Sequence, residues 1–156
     1  MDALEFALDD PTAADVVALL EVHVEFSREV TPAGHVHAFE PEALRADDVD
    51  LFSIRRDGVL LGIGALRRLD ADHAEIKSMH TTEAERGKGI GRLLLDQLLA
   101  TASARGHGRV SLETGTMEAF APARALYESA GFEACAPFGN YWENPNSVCM
   151  TLMLNA

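Results

Sequence analysis

A mixed α/β fold, with antiparallel hairpins in its middle and a strand-helix-strand unit after them, is predicted by three features of the sequence. Between 49 and 81 lie three β-compatible runs, 51–55, 59–66 and 74–81, and Asp57-Gly58 joins the first two as a pair suited to a tight hairpin. From 89 to 105, Ile90, Leu93, Leu94, Leu98 and Ala102 recur at the spacing of one buried helical face, with Gly106 just beyond the end. The remainder then reads as a strand at 110–114, a helix at 121–130 closed by Gly131, and two strands at 132–136 and 148–154.

The elements before residue 49 follow the same logic. Residues 4–8 alternate enough for a first strand, and Asp10 followed by Pro11 suits an N-cap with proline at the first helical position. The helix this starts should run over 11–29. Val16, Leu19, Leu20 and Val24 form its buried face, and His23, Glu25 and Arg28 interrupt the pattern. A second, short helix is expected at 41–46. No repeat or long linker divides the chain, so one domain over 1–156 is expected.

Composition narrows the class. A chain of 156 residues buries about 68–70% of its unfolded surface and needs no staple. It is 47% hydrophobic and 24% charged, with no run of about 18 apolar residues and no basic-then-apolar leader, so a cytoplasmic protein without a membrane partner is expected. Thirteen Lys and Arg face 25 Asp and Glu, a net charge of -12 that repels a polyanion, so no nucleic-acid partner is expected. Cys135 and Cys149 lack metal or redox spacing and read as free thiols, in keeping with a reducing compartment.

Against that acidity, Arg86-Gly87-Lys88-Gly89-Ile90-Gly91-Arg92 is locally basic and joins a strand to the strongest helix. Free N–H groups and the positive helix end meet there, which suits a phosphate. A dinucleotide fingerprint would need glycine at 92, where Arg92 stands, and a Walker loop would need Ser or Thr after Lys88, where Gly89 stands.

What remains, Arg-x-x-Gly-x-Gly, resembles the pyrophosphate-binding signature of the GNAT superfamily of acyl-CoA-dependent N-acetyltransferases. Residues 74–81 look like the fourth strand of that fold, and Leu126-Tyr127 with Gly131-Phe132 is similar to its Leu-Tyr-x-x-x-Gly-Phe signature. Leu112-Glu113-Thr114-Gly115, the segment 137–141 and Asn144-Pro145-Asn146-Ser147 resemble a bacterial branch acting on small acceptors. The resemblance covers about 49–154. It implies an α/β fold with a mostly antiparallel sheet, splayed between its fourth and fifth strands, flanking helices, and acetyl-CoA as co-substrate in the gap. It further implies acetyl transfer to a small-molecule primary amine through a ternary complex, and a homodimer as a frequent assembly. Relatives often carry Asn where Phe120 stands, so one contact to the pantetheine arm is altered here.

The resemblance also implies roles, which the residues themselves can be asked to support. Strict alternation in 74–81 puts Glu75, Lys77, Met79 and Thr81 on one face and Ile76, Ser78 and His80 on the other. Glu75, among apolar neighbours, suits a general base acting through water, and a surface carboxylate paired with Lys77 is the plainer alternative. Met79, His80 and Thr81 would offer backbone groups to the pantetheine and thioester, and residues 86–92, Arg86, Gly87, Lys88, Gly89, Ile90, Gly91 and Arg92, would hold the diphosphate. His80 is a second candidate base. Tyr127, a phenol of ordinary pKa about 10, suits the acid that meets the departing sulfur. Glu113 either faces the acceptor or caps its turn, and Tyr141 belongs to the acceptor loop. His23, His35 and His37 lack further ligands at helpful spacing, so no metal is expected. The rival class is a catalytically silent acyl-CoA sensor.

Overall fold

The computed structural model describes residues 3–30, 48–139, 141–143 and 145–154. Strand β1 (Leu4–Leu8) and helix α1 (Ala14–Val30) precede a meander of β2 (Val49–Arg56), β3 (Val59–Arg68) and β4 (His73–Thr81). Helix α2 (Ile90–Ala104), strand β5 (Arg109–Gly115), helix α3 (Ala121–Ser129), and strands β6 (Glu133–Cys135) and β7 (Ser147–Met153) follow. The sheet order is β1-β2-β3-β4-β5-β7-β6, and every pairing is antiparallel except β4 with β5. Each strand and the two later helices lie within a few residues of their sequence-derived positions. The expected helix at 41–46 lies outside the described residues. Among those described, no helix is long and apolar enough to cross a membrane.

The start of α1 departs from expectation. Asp10 Oδ1 accepts the Thr12 N–H at 2.8 Å and the Thr12 hydroxyl at 2.6 Å, which closes a separate turn over Asp10 to Ala13. The helix then begins at Ala14, its first bond running from Val17 N–H to the Ala13 carbonyl. An Asp side chain so placed satisfies its own turn and not the helix. Elsewhere the turn chemistry holds. Asp57 and Gly58 both have positive φ, as a two-residue hairpin between twisted strands requires.

Two apolar layers hold helices on opposite faces of the sheet. On one face Leu94, Leu95, Leu98 and Ala102 of α2 pack with Leu66, Ile76, Val110 and Leu112, joined by Tyr127 and Phe132. On the other, Val16, Leu19 and Leu20 of α1 pack on Leu51, Ile63 and Ala65. Each fully buried leucine contributes about 1.5–3 kcal/mol, so α2 is firmly seated and its start is fixed in space. Gly64 permits the close approach, because a Cβ there would meet Leu98 Cδ1 at 2.8 Å.

Strand β4 carries the feature that strict alternation misses. Ser78 has φ 57°, and the β3–β4 register shifts between Ile63 and Ala65. One extra residue at that bulge flips every later side chain. Met79 therefore joins Ile76 on the α2 face, and His80 turns to the α1 face, which also holds Lys77 and Glu75. This corrects the expected grouping of Met79 with Glu75 and Lys77 and of His80 with Ile76. Beyond Glu75 paired with Ser111, β4 and β5 share no further rung, so the strands part where the bulge begins.

Ser78→Gly is expected to keep the fold with equal or higher stability, since glycine tolerates this backbone. Ser78→Val places a β-branched residue at positive φ and should lower stability by about 1–3 kcal/mol. Denaturant melts of the two variants check both outcomes.

Candidate active site

The parted strands open onto a cavity of about 420 Å³. Its walls include Met79, His80 and Thr81 at the end of β4, Arg86, Gly87 and Gly91 of the glycine loop, Leu126 and Tyr127 of α3, and His23 and Phe26 of α1. Of the expected site residues, Met79, His80, Thr81, Arg86, Gly87 and Gly91 are thus brought together with Tyr127, while Lys88, Gly89, Ile90 and Arg92 do not line this cavity. Glu75, Glu113 and Tyr141 belong to a different, adjoining cluster.

At the loop, Gly87 and Gly89 adopt φ of 77° and 86°, and nothing lies within 4 Å of where their Cβ atoms would be. Gly89 is the N-cap of α2 and supplies no side-chain cap, and the first turn holds no acidic residue. The first helical bond runs from Leu93 N–H to the Gly89 carbonyl, leaving the amides of Ile90, Gly91 and Arg92 without partners in the helix. This open cradle at a helix start fits a diphosphate.

The basic side chains of the loop are not equivalent. Lys88 Nζ lies 3.1 Å from Glu85, itself paired with Arg56 at 2.5 Å, and Arg92 pairs with Asp96 at 3.1 Å. Arg86 instead donates to a neutral ring, His80 Nε2, at 3.1 Å. So two of the three expected cations are already matched by carboxylates, and Arg86 is the one whose charge is best placed to meet an anion.

A polar chain runs inward from Arg86. A guanidinium can only donate, so His80 Nε2 accepts and its ring proton sits on Nδ1. That Nδ1–H points at His23 Nδ1, 3.1 Å away, and the His23 proton is then on Nε2. Burial, helped by the electrostatic influence of His80 and Lys77, lowers the His23 pKa to about 3. Burial and then Arg86 lower that of His80 to about 4. Phe26 packs against both His80 and Phe120, with ring centroids 6.3 and 5.2 Å away. Phe120, in place of the usual Asn, is thus an apolar wall of the cleft, pressed so closely on Gly115 that a Cβ there would collide with its ring.

Tyr127 is fixed by the end of its helix. Phe132 N–H bonds the Tyr127 carbonyl and Gly131 N–H bonds that of Glu128, with Gly131 at φ 103° and the Tyr127 and Phe132 rings 5.9 Å apart. That pair of hydrogen bonds with its apolar contact is a Schellman ending, and it explains the spacing of tyrosine, glycine and phenylalanine in the sequence. Burial pushes the Tyr127 hydroxyl up to about 12.

On the α1 side of β4, Glu75 is only 1% exposed. Its Oε2 accepts the Tyr141 hydroxyl at 2.5 Å and faces Lys77 Nζ at 3.4 Å, and Lys77 also donates to Tyr141 at 2.5 Å. Burial lowers the Lys77 pKa, and burial with the nearby Glu75 charge raises that of Tyr141. Glu113 acts electrostatically on both. The surface carboxylate that the sequence allowed is therefore a buried one, although its pairing with Lys77 is present.

Residues 16–132 match the acetyltransferase (GNAT) family. The chain belongs to that family. It is 42% identical over 151 residues to a Bacillus subtilis (strain 168) protein named uncharacterised N-acetyltransferase YsnE, spanning 97% of this chain and 100% of that one. A Klebsiella pneumoniae crystal structure, described as a candidate acyl-CoA N-acyltransferase, superposes with TM-score 0.76 at 27% identity over 99% of this chain and 98% of that one. A GNAT family acetyltransferase from Elizabethkingia anophelis with acetyl-CoA bound shares the fold at TM-score 0.72 and 20% identity, over 99% of this chain and 100% of that one. GNAT acetyltransferases use acetyl-CoA as co-substrate.

The sequence marks His23 as a break in an apolar stripe and as a member of a histidine set without further ligands, and in neither way as a site residue. With Val16, Leu20 and Ser27 it occupies the inward row of α1, and a polar residue on such a row was the available signal.

Gly89→Glu in this acetyltransferase is expected to abolish CoA binding in a folded protein. Arg86→Gln should weaken it clearly more than Lys88→Ala, because Lys88 is already paired. Titration calorimetry with CoA ranks the three. A pH effect follows from the two histidines. Unfolded imidazole titrates near ~6.5, so as pH falls the unfolded chain takes up protons before the folded one. The stabilisation is present above about 6.5 and drains away towards 4 and then 3. The melting temperature should fall through that window, less steeply in His23→Gln, as thermal melts across pH would report.

Proposed function

We propose that this enzyme transfers the acetyl group of acetyl-CoA directly to the primary amine of a small molecule, with both substrates in the cleft together. The observation that carries the proposal is the cavity itself, whose walls bring Arg86, Gly87 and Gly91 of the glycine loop together with His23, His80 and Tyr127. Acetyl-CoA supplies a thioester whose carbon accepts the amine lone pair while the carbon–sulfur bond breaks and its electron pair leaves on sulfur.

The residues divide the work. Amides of 87–92 and Arg86 receive the diphosphate, and backbone groups of Met79, His80 and Thr81, beyond the last β4–β5 rung, receive the pantetheine arm. The amine must lose a proton, and His80 Nε2 takes it, because His80 walls the cavity. A second reading sends that proton to Glu75 through water, favoured by its place on the same face of β4. In the first reading Glu75 instead anchors Tyr141 and Lys77, which with Glu113 shape the acceptor side.

Tyr127 serves the sulfur. With its hydroxyl pushed up to about 12, while an ordinary thiol titrates near ~8.5, complete transfer of the phenol proton would be uphill. Its larger contribution is a hydrogen bond that strengthens as charge gathers on sulfur. The acceptor class is supported by a groove beside the cleft, where Glu21, Glu25 and Glu29 of α1 and Glu83 gather round Phe26 and Arg86. Carboxylates so grouped attract cationic amines.

The deciding experiment is a thiol-release screen with acetyl-CoA against amines, amino acids and aminoglycosides, beside thermal shifts with CoA and NADH. Turnover with an amine and stabilisation by CoA alone are expected, and a shift with NADH but none with millimolar CoA would overturn the proposal. Tyr127→Phe should bind CoA within a few fold of the parent and lose about 1.5–3 kcal/mol of stabilisation of the departing sulfur, roughly tenfold to a hundredfold in kcat. Unchanged turnover would make Tyr127 a packing residue.

A further inference from the structure

Arg86 belongs to two structures at once, the loop that meets the diphosphate and the polar chain that ends at His23. Its donation to His80 Nε2 fills the one imidazole lone pair of His80. His23 Nδ1 is filled in turn by the Nδ1–H of His80. Both lone pairs of the chain are therefore taken, so neither ring offers a vacant site for a proton. The groups around the pair explain why the arrangement is poised. Lys77 acts on His23 from β4, Phe26 covers His80 from α1, Glu85 walls the same cavity but is held by Arg56 and Lys88, and Glu21, Glu25, Glu29 and Glu83 lie along the groove on the far side of Arg86.

We propose that Arg86 is a co-substrate-operated mask: it occupies His80 Nε2 until a diphosphate on the glycine loop draws its guanidinium away, and His80 then becomes able to accept a proton while His23 holds its Nδ1–H. This deepens the proposed function, since it rests on the cleft seating acetyl-CoA and on His80 as the proton acceptor. The exchange has a clear direction. A diphosphate offers the guanidinium an acceptor of opposite charge, with room for two parallel bonds, in place of a single bond to a neutral ring nitrogen. At the same time a positive charge leaves the neighbourhood of the ring that must become positive. His23 is the positioning residue: its Nδ1 accepts from His80 in the neutral state, and the same bond is strengthened when His80 is charged. Proton balance is kept, because the proton taken by His80 Nε2 is the one lost by the amine as its nitrogen bonds the acyl carbon. It is returned to solvent, or to the released thiolate, before the next turnover. The arrangement also orders the reaction, with the base competent only after the acyl donor is seated, so that a proton or a cationic amine arriving first finds no open nitrogen.

The test follows the ring nitrogens of His80 and His23 by 15N-detected NMR against pH, in the ligand-free parent, with desacetyl CoA, with pantetheine, which has no diphosphate, and in ligand-free Arg86→Gln and Arg86→Lys. In the parent, His80 is expected as the Nδ1–H tautomer, resisting protonation. CoA should raise its pKa by about one unit or more, tenfold in proton affinity, and pantetheine should not. Arg86→Gln should show the same rise with no ligand, and Arg86→Lys, which keeps a cationic donor, should restore the low value. Chemical shifts of the Gly89 amide report independently whether CoA has seated on the loop. If they move and His80 does not, or if Arg86→Gln titrates like the parent, the mask is wrong. If CoA leaves Gly89 untouched, the functional reading itself falls, and the Arg86→Gln arm still decides whether Arg86 suppresses His80.

Discussion

The β4 backbone at Ser78 is the constraint from which the cleft follows. A left-handed residue in the middle of a strand breaks its alternation, and the rungs to β5 end at Glu75 and Ser111 just before it. Backbone groups that a neighbouring strand would otherwise satisfy are thereby turned towards a gap, which in a folded protein calls for a ligand or water. The same bulge carries His80 across to the α1 side, where it meets His23, and leaves Met79 as an apolar wall on the α2 side. A flat, fully paired β4 would have neither the opening nor the histidine pair. The strain of that backbone is offset by the burial of Ile76, Leu94, Leu98 and their neighbours, which fix both sides of the bulge.

Charge explains less of phosphate recognition here than the sequence suggests. Lys88 and Arg92 stand in the basic heptapeptide, but each is an exposed cation that already faces a carboxylate, and a screened, partly neutralised charge contributes little field at a distance. The fixed elements are the amides at the start of α2, held by the buried face of that helix, and the open space over Gly87 and Gly89. A net charge of -12 is compatible with binding a polyanionic co-substrate for this reason. Oriented dipoles at short range can act on an anion irrespective of the long-range field of the whole chain.

The elements legible in the sequence are those whose signals are local. Asp57-Gly58, the apolar stripe of α2, and the Tyr127, Gly131 and Phe132 spacing each encode a structure within a few residues, and each appears where expected. The first turn of α1 was misplaced because Asp10 can satisfy either a turn or a helix start, and the choice depends on the chain around it. The bulge was invisible for a different reason. Alternation assumes an unbroken period of two, and nothing in Lys77-Ser78-Met79 announces an extra residue, since its cause is pairing with β3 and packing under α2. His23 and His80 are 57 positions apart, so their contact could come only from the assembled sheet.

The buried Glu75, Lys77 and Tyr141 form a unit whose members cannot be judged one at a time. The carboxylate and the ammonium are nearly enclosed, and the phenol bridges them by accepting from Lys77 and donating to Glu75. Neutralising Glu75 alone would leave the Lys77 charge without its main partner, a change that commonly costs about 3–5 kcal/mol when one half of a buried pair is removed. Lost activity in such a variant would therefore report a disturbed cluster as readily as a missing base. His80 carries no such ambiguity, because its two ring partners are a neutral histidine and an exposed arginine. The geometry thus separates two kinds of polar group beside β4: an enclosed set of opposite charges that depend on one another, and a neutral histidine pair at the cavity wall that substitution can change without removing half of an ion pair.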